Sequence, residues 1–263
     1  MKWARVEHNG NTSYGLVNGD QIDTVRGTPF DDYELTGEHL PIADVTWLPP
    51  VIPANFYCVG LNYAEHVMEA AKARGVEPNL PTQPDVGYRS ANALTGHEQP
   101  IIIPPDATQR IEYEGELVCV IGRTARHLTR ENALDCLLGV TIGNDVSERT
   151  WQGGDRTLWR AKNCDTFKPM GPWIDTEFDL DSMHTKVRLN GEECIDFETN
   201  NMLFGVVDYL VAMSRYMTLH PGDVLWMGTE GHPREMKAGD VVEVEITGLG
   251  VLRNPVVANP DNM

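Results

Sequence analysis

Polar and apolar residues alternate through "IEYEGELVCVIG", residues 111–122, until the polar positions stop at Glu116. Side chains alternate across a strand, so Glu112, Glu114 and Glu116 share a face with Val118 and Val120, while Ile111, Tyr113, Leu117 and Cys119 take the other. The period of two recurs in the first 48 residues, where "KWARVEH", "SYGLV" and "QIDTV" are separated by Asn-Gly pairs and predict hairpins. The proline-bearing "LPPVIP" then marks a boundary. Beyond it "NFYCVGLN" predicts a short strand, and "YAEHVMEAAKARG" a helix that Gly75 ends. Residues 76–110 predict loops around the apolar run "PIIIPP". "TRENALDCLLG" predicts a helix capped by Thr129, and "VTIGNDVS" a strand. "TKVRLNGEEC" predicts a strand and an Asn-Gly turn, and "NMLFGVVDYLVAMSRYM" an amphipathic helix. The tail, "GDVLWMG" and "GDVVEVEITGLGVLRNPVV", is strand-rich, so the fold class is α+β and β-rich.

Length and charge narrow this picture. At 263 residues the chain can bury a large core. The boundary suggests a small N-terminal β-rich domain over residues 1–50 and a second domain over 51–263. A formal net charge of −18 argues against nucleic acid and against an anionic membrane surface as partners. No apolar stretch is long enough to span a bilayer, and the opening residues lack a signal core, which predicts a soluble, cytoplasmic protein. The five cysteines are scattered and never spaced Cys-x-x-Cys, so neither a disulfide framework nor a thiolate metal site is suggested. An anionic substrate would need a locally cationic site on so acidic a chain.

The alternating glutamates carry the first chemical question. Neighbours on one strand face sit about 6.5 to 7 Å apart and repel by roughly 2 to 3 kcal/mol at an effective dielectric of about 20, but by well under ~1 kcal/mol in bulk water. Either the strand end is solvated, or a divalent cation absorbs the repulsion. Asp145, at the end of "VTIGND", is either a turn residue or the third carboxylate of an all-oxygen site with Glu114 and Glu116. His66 and Glu69 lie three apart on the helix, as a surface pair or as an oriented base. Lys162, beside Trp159, is either solvated or placed to hold an anion. Thr229 has an ordinary reading as a turn hydroxyl, and spacing alone singles out none of Asn62, Arg89, Arg149 and Gln152.

Together "VGLNYAEHVMEA", "YEGELVCVIG", "GVTIGNDVSERTWQ", "RAKNCDTFKPMGPWI", "LNGE", "HPGDVLWMGT" and "KAGDVVEVEITGLGVLRNPV" resemble, in order, the motifs of the fumarylacetoacetate hydrolase family over residues 53–256. The hairpins at 1–48 resemble the N-terminal extension of many members. The likeness is greatest to the branch of 2-hydroxyhepta-2,4-diene-1,7-dioate isomerases and acylpyruvate hydrolases. The resemblance implies a mixed β-sandwich roll with flanking helices, a homodimer, and Mg²⁺ or Mn²⁺ held by Glu114, Glu116 and Asp145. It assigns catalysis to His66, Glu69 and Lys162, and substrate contacts to Gln152, Thr229 and Arg89, with Glu112 outside the ligand set. Arg89 in "GYRSAN" stands where the family often has lysine, and "MGTEGHPREM" departs from its Thr-Gly-Thr-Pro pattern.

The implied substrate is a small keto acid or dicarboxylate. The implied reaction is hydrolysis of a carbon–carbon bond in an acylpyruvate through a metal-stabilised enolate, with isomerisation or decarboxylation of a hydroxyhepta-dienedioate as the alternative. A non-enzymatic metal-containing binding protein is the rival from another class.

Overall fold

The structure, a computed structural model, describes residues 1–107 and 110–259. The side chains of His66, Glu69, Ala70, Ala73 and Arg74 lie outside the described residues. The N-terminal hairpins form as the Asn-Gly pairs predict: β1 (Lys2–His8) turns into β2 (Asn11–Asn18) through Asn9 and Gly10, both at positive φ, as a tight hairpin turn requires. Next come β3 (Gln21–Gly27), β4 (Tyr33–Pro41) and the short β5 (Thr46–Leu48). Strand β6 (Phe56–Val59) leads into helix α1 (Ala64–Arg74), which Gly75 ends at φ 67°, its N–H turned back to the Ala71 and Lys72 carbonyls.

The 76–110 region holds three short strands, β7 (Val86–Tyr88), β8 (Leu94–Thr95) and β9 (Ile101–Ile103). The alternating segment is two strands, β10 (Ile111–Glu112) and β11 (Gly115–Ile121), with Tyr113 and Glu114 at the break between them. After β12 (Leu137–Asn144) and β13 (Ser147–Glu148) come two short helices, α2 (Arg149–Gln152) and α3 (Trp159–Asn163), then β14 (Lys168–Asp175). The chain ends with β15 (His184–Leu189), β16 (Glu192–Glu198), α4 (Val206–Tyr216), β17 (Val224–Trp226), β18 (Val241–Ile246) and β19 (Gly250–Ala258).

Two expectations need correction. The helix expected over residues 129–139 is a single 3₁₀ turn, Ala133–Cys136, and Leu137 already belongs to a strand. The Thr129 N–H donates to Asn132 Oδ1, and the Cys136 carbonyl accepts from both Gly122 and Arg123, so the segment closes a turn between β11 and β12. "LLGVTI" satisfies an apolar strand as well as a helix, and the ladder prevails. The helix expected from Asn201 begins only at Val206, where Asp208 accepts from the Gly205 N–H. Residues Leu203 and Phe204 instead bond to Asn62, whose Nδ2 also donates to the Phe204 and Met227 carbonyls.

A twelve-stranded sheet runs β4-β3-β2-β1-β14-β12-β11-β17-β6-β7, with β5 on β1 and β8 on β14; a five-stranded sheet runs β16-β15-β18-β19-β9. Both are mixed: β17–β6, β14–β8 and β19–β9 are parallel, and the other pairs are antiparallel. The N-terminal hairpins therefore continue the main sheet through β1 on β14, with Trp3 opposite Ile174. Strands β11 and β12 pack face to face on β15, β18 and β19. Between the sheets lie Ile111, Tyr113, Leu117 and Cys119 with Val187, Val244 and Leu252, as the alternation predicts. Val118 and Val120 face the other way, into a cluster with Trp3, Phe56, Met170 and Trp226. That second face carries Glu116. Among the described residues no helix is long and apolar enough to cross a membrane.

Candidate functional site

Pairing of β11 with β12 sets Gly115 opposite Asn144 and Glu116 opposite Gly143. The Asp145 N–H donates to the Glu114 carbonyl at 2.8 Å and the Glu114 N–H to Asn144 Oδ1 at 2.9 Å, so the strand break and the end of β12 are clamped together. Glu114, Glu116 and Asp145 converge there: one carboxylate oxygen from each lies within 4.8 Å of the others, and all three residues are buried. A solvated strand end is thereby excluded.

Cations enclose these carboxylates. Lys162, carried in by α3 and buried, has its Nζ 2.5 Å from Glu114 Oε2 and 2.9 Å from Asp145 Oδ2. Arg89, placed just after β7 by its N–H bond to the Phe56 carbonyl, donates from Nη2 to Asp145 Oδ2 at 2.9 Å and from Nε to Oδ1 at 3.2 Å. Lys168, which opens β14 and is fully buried, lies 2.7 Å from Asp145 Oδ1 and donates to the Val146 and Phe167 carbonyls. Arg149 lies 2.6 Å from Glu114 Oε1 and donates to Glu112 Oε2 at 2.6 Å. Glu112 also accepts from Arg110 at 2.9 Å, so two arginines meet its charge outside the carboxylate cluster.

The electrostatic outcome differs by residue. Burial opposes charge on Asp145, but Arg89, Lys162 and Lys168 outweigh it and hold the carboxyl well below the usual range. For Glu116, burial, reinforced by Asp145 and Glu114, pushes the carboxyl up to about 8 against the pull of Lys162 and the Gly228 N–H. Burial lowers Lys168 to about 8, with Asp145 resisting.

The other sequence candidates fall unevenly. Gln152, on α2, accepts at Oε1 from Arg149 Nη1 at 3.0 Å. The buried Thr229 directs its hydroxyl to the Glu230 carbonyl, and it is the neighbouring Gly228 whose N–H reaches Glu116 Oε2, at 2.8 Å. The α1 backbone carries His66 and Glu69, whose side chains lie outside the described residues. Lys168 and Arg149 were not singled out by sequence. The clue to Lys168 was a lysine directly before "PMGPWI", at the start of an otherwise apolar strand. A cavity of about 370 Å³ on another side of α3, lined by Ile102, Pro104, Trp159, Arg160 and Cys164 among others, includes none of the three carboxylates.

Residues 55–257 match the family model described as fumarylacetoacetate (FAA) hydrolase C-terminal, and residues 1–50 match Rv2993c-like, N-terminal. The chain is 34% identical over 230 residues to oxaloacetate tautomerase Fahd2a, mitochondrial, of Rattus norvegicus, covering 83% of this chain and 71% of that protein. Two solved structures share its fold over 98% of this chain and 100% of theirs. They are 5-carboxymethyl-2-hydroxymuconate delta-isomerase from Mycobacterium smegmatis (TM-score 0.88, 33% identity) and a fumarylacetoacetate hydrolase from Exiguobacterium antarcticum (TM-score 0.85, 34% identity).

Proposed function

Because the chain belongs to the fumarylacetoacetate hydrolase family, we propose that it is a divalent-metal-dependent enzyme that hydrolyses a carbon–carbon bond in an acylpyruvate-type 2-oxo acid. The observation that carries this reading is the convergence of Glu114, Glu116 and Asp145 on one buried point beside Lys162. The donor set fits a hard divalent cation: among the described residues it is all carboxylate oxygen, from Glu114, Glu116 and Asp145. Magnesium is the proposed native ion, with manganese able to substitute. When bound, it supplies Lewis acidity that lowers the cost of negative charge on the oxo oxygen of a chelating 2-oxo acid.

The chain's own residues divide the remaining work. Lys162 offsets negative charge developing beside Glu114 and Asp145. His66, oriented by Glu69 one turn along α1, takes a proton from the attacking water, and α1 closes over the bound anion. Arg89, Gln152 and Thr229 address the substrate's carboxylate and oxo oxygens. Hydrolysis adds one water across the carbon–carbon bond and leaves a 2-oxo acid and a second carboxylic acid.

A second reading has a specific support: relatives at 33–34% identity are named for tautomerisation and isomerisation. Those reactions need the same developing charge and only a proton moved, with decarboxylation a further outcome. Mass analysis of products from acylpyruvates, oxaloacetate and hydroxyhepta-dienedioates with added Mg²⁺ separates them. Two fragments support hydrolysis, conserved mass supports isomerisation or tautomerisation, and released carbon dioxide supports decarboxylation. His66→Ala and Glu69→Ala are expected to lower turnover with cation affinity intact. Silence across the panel from a chain that binds Mn²⁺ would favour a non-enzymatic binding protein.

A further inference from the structure

Glu112 stands apart from the carboxylate cluster although it belongs to the same alternating run. It is 7% exposed, and pairing of β10 with β13 sets it opposite Ser147. The Arg149 N–H donates to the Arg110 carbonyl at 2.9 Å, so the register delivers the Arg149 guanidinium to this spot. Its Nε donates to Glu112 Oε2 at 2.6 Å, its Nη2 lies 2.6 Å from Glu114 Oε1, and its Nη1 donates to Gln152 Oε1 at 3.0 Å. With all three nitrogens engaged, the plane of the fork is set.

We propose that Glu112 is a positioning residue: by holding Arg149 and offsetting its charge, it sets the orientation and availability of Glu114, and so raises the affinity of the cluster for a divalent cation. This rests on reading Glu114, Glu116 and Asp145 as the ligands. Arg149 draws on the same Glu114 carboxylate that a cation would use, and Glu112 draws on the same guanidinium. Among the described residues, Glu112, Glu114 and Asp145 pair with Arg89, Arg110, Arg149, Lys162 and Lys168, while Glu116 accepts from the Gly228 N–H. Neutralising Glu112 leaves the Arg149 charge less offset, which opposes entry of a dication, and it leaves Arg149 to pair with Glu114 without a competing carboxylate. Both effects weaken cation binding.

The test is Mn²⁺ titration calorimetry on the full chain stripped of metal with a chelator, with thermal unfolding recorded for each variant. Glu112→Gln, close to isosteric, is expected to keep the fold and raise the Kd about tenfold, the low end of what partners of metal ligands typically contribute. In an Arg149→Gln background the same substitution is expected to change the Kd little, because its effect runs through Arg149. Arg110→Gln, on the exposed side of Glu112, is expected to leave the Kd near that of the unaltered chain.

An unchanged Kd in Glu112→Gln, alongside loss of binding in Asp145→Asn, overturns the positioning role and leaves the cation site standing. Failure of the unaltered chain to bind Mn²⁺ overturns the cation site and this inference with it. Should Glu112→Gln not fold, the same cycle is run with Glu112→Asp, whose shorter carboxylate draws back from Arg149. A Kd rise present only when Arg149 is intact supports the role, and no rise, or an equal rise in both backgrounds, overturns it.

Discussion

Glu116 and Asp145 are both buried carboxylates of one cluster, yet they titrate in opposite directions because their partners differ. Asp145 faces three side-chain cations, whereas the bond to Glu116 that opposes its burial comes from a backbone N–H, that of Gly228. A carboxyl raised from 4.5 to about 8 keeps its proton at neutral pH. Its contribution to the stability of the metal-free fold is therefore present below the unfolded value and is lost as pH rises toward 8. A cation must expel that proton to take Glu116 as a ligand. Mn²⁺ affinity is accordingly expected to rise with pH up to about 8. Binding at pH 7 is expected to release a proton, seen as a calorimetric heat that depends on buffer ionisation enthalpy. A flat affinity from pH 6 to 9 would show that no proton leaves Glu116 on binding, so that the carboxyl is either ionised beforehand or not a ligand.

The strand break at Tyr113–Glu114 and the end of β12 work as one device at the scale of elements, because each supplies a backbone partner to the other. Gly143 makes the device compact. A Cβ there would lie 2.6 Å from the Trp226 ring, so the indole packs on bare backbone directly opposite Glu116. Gly143→Ala must displace that ring, and overpacking of this kind costs about 1–3 kcal/mol. The expected outcome is a lower urea midpoint with weaker Mn²⁺ binding; an unchanged midpoint would show that the ring gives way freely. The element that sequence misread, residues 129–139, shows the reverse dependence. Its Ala-Leu spacing suits a helix, but β12 needs Leu137 in its ladder, and the bonds of the neighbouring strand decide.

For the whole molecule the notable feature is continuity of the main sheet. Trp3 of β1 packs into the same cluster as Val118, Met170 and Trp226, and β1 pairs with the far end of the strand that Lys168 opens. Residues 1–50 and 55–257 match separate family models, yet their strands share one ladder. A chain beginning at residue 51 is expected to lose cooperativity in thermal unfolding, since β14 would expose an unpaired edge and the cluster would lose the Trp3 indole. A truncated chain that unfolds as sharply as the intact one would establish the two segments as independent folding units. The net charge of −18 makes the enclosure by Arg89, Arg149, Lys162 and Lys168 the local exception that an anionic substrate requires.

Sequence by itself determined what depends on neighbours along the chain: the two faces of the 111–122 segment, the Asn-Gly hairpins, the Gly75 helix end and the carboxylates that share a face. Backbone geometry dictates these, and no distant partner is needed. Only the tertiary structure decided whether the glutamates are buried and which charges meet them. Arg89 reaches Asp145 across 56 residues and Lys162 reaches Glu114 across 48, distances at which no local period carries information. Coulomb interactions act through space in a medium whose screening is set by packing, so the same three glutamates are harmless in water and demand compensation once the fold buries them.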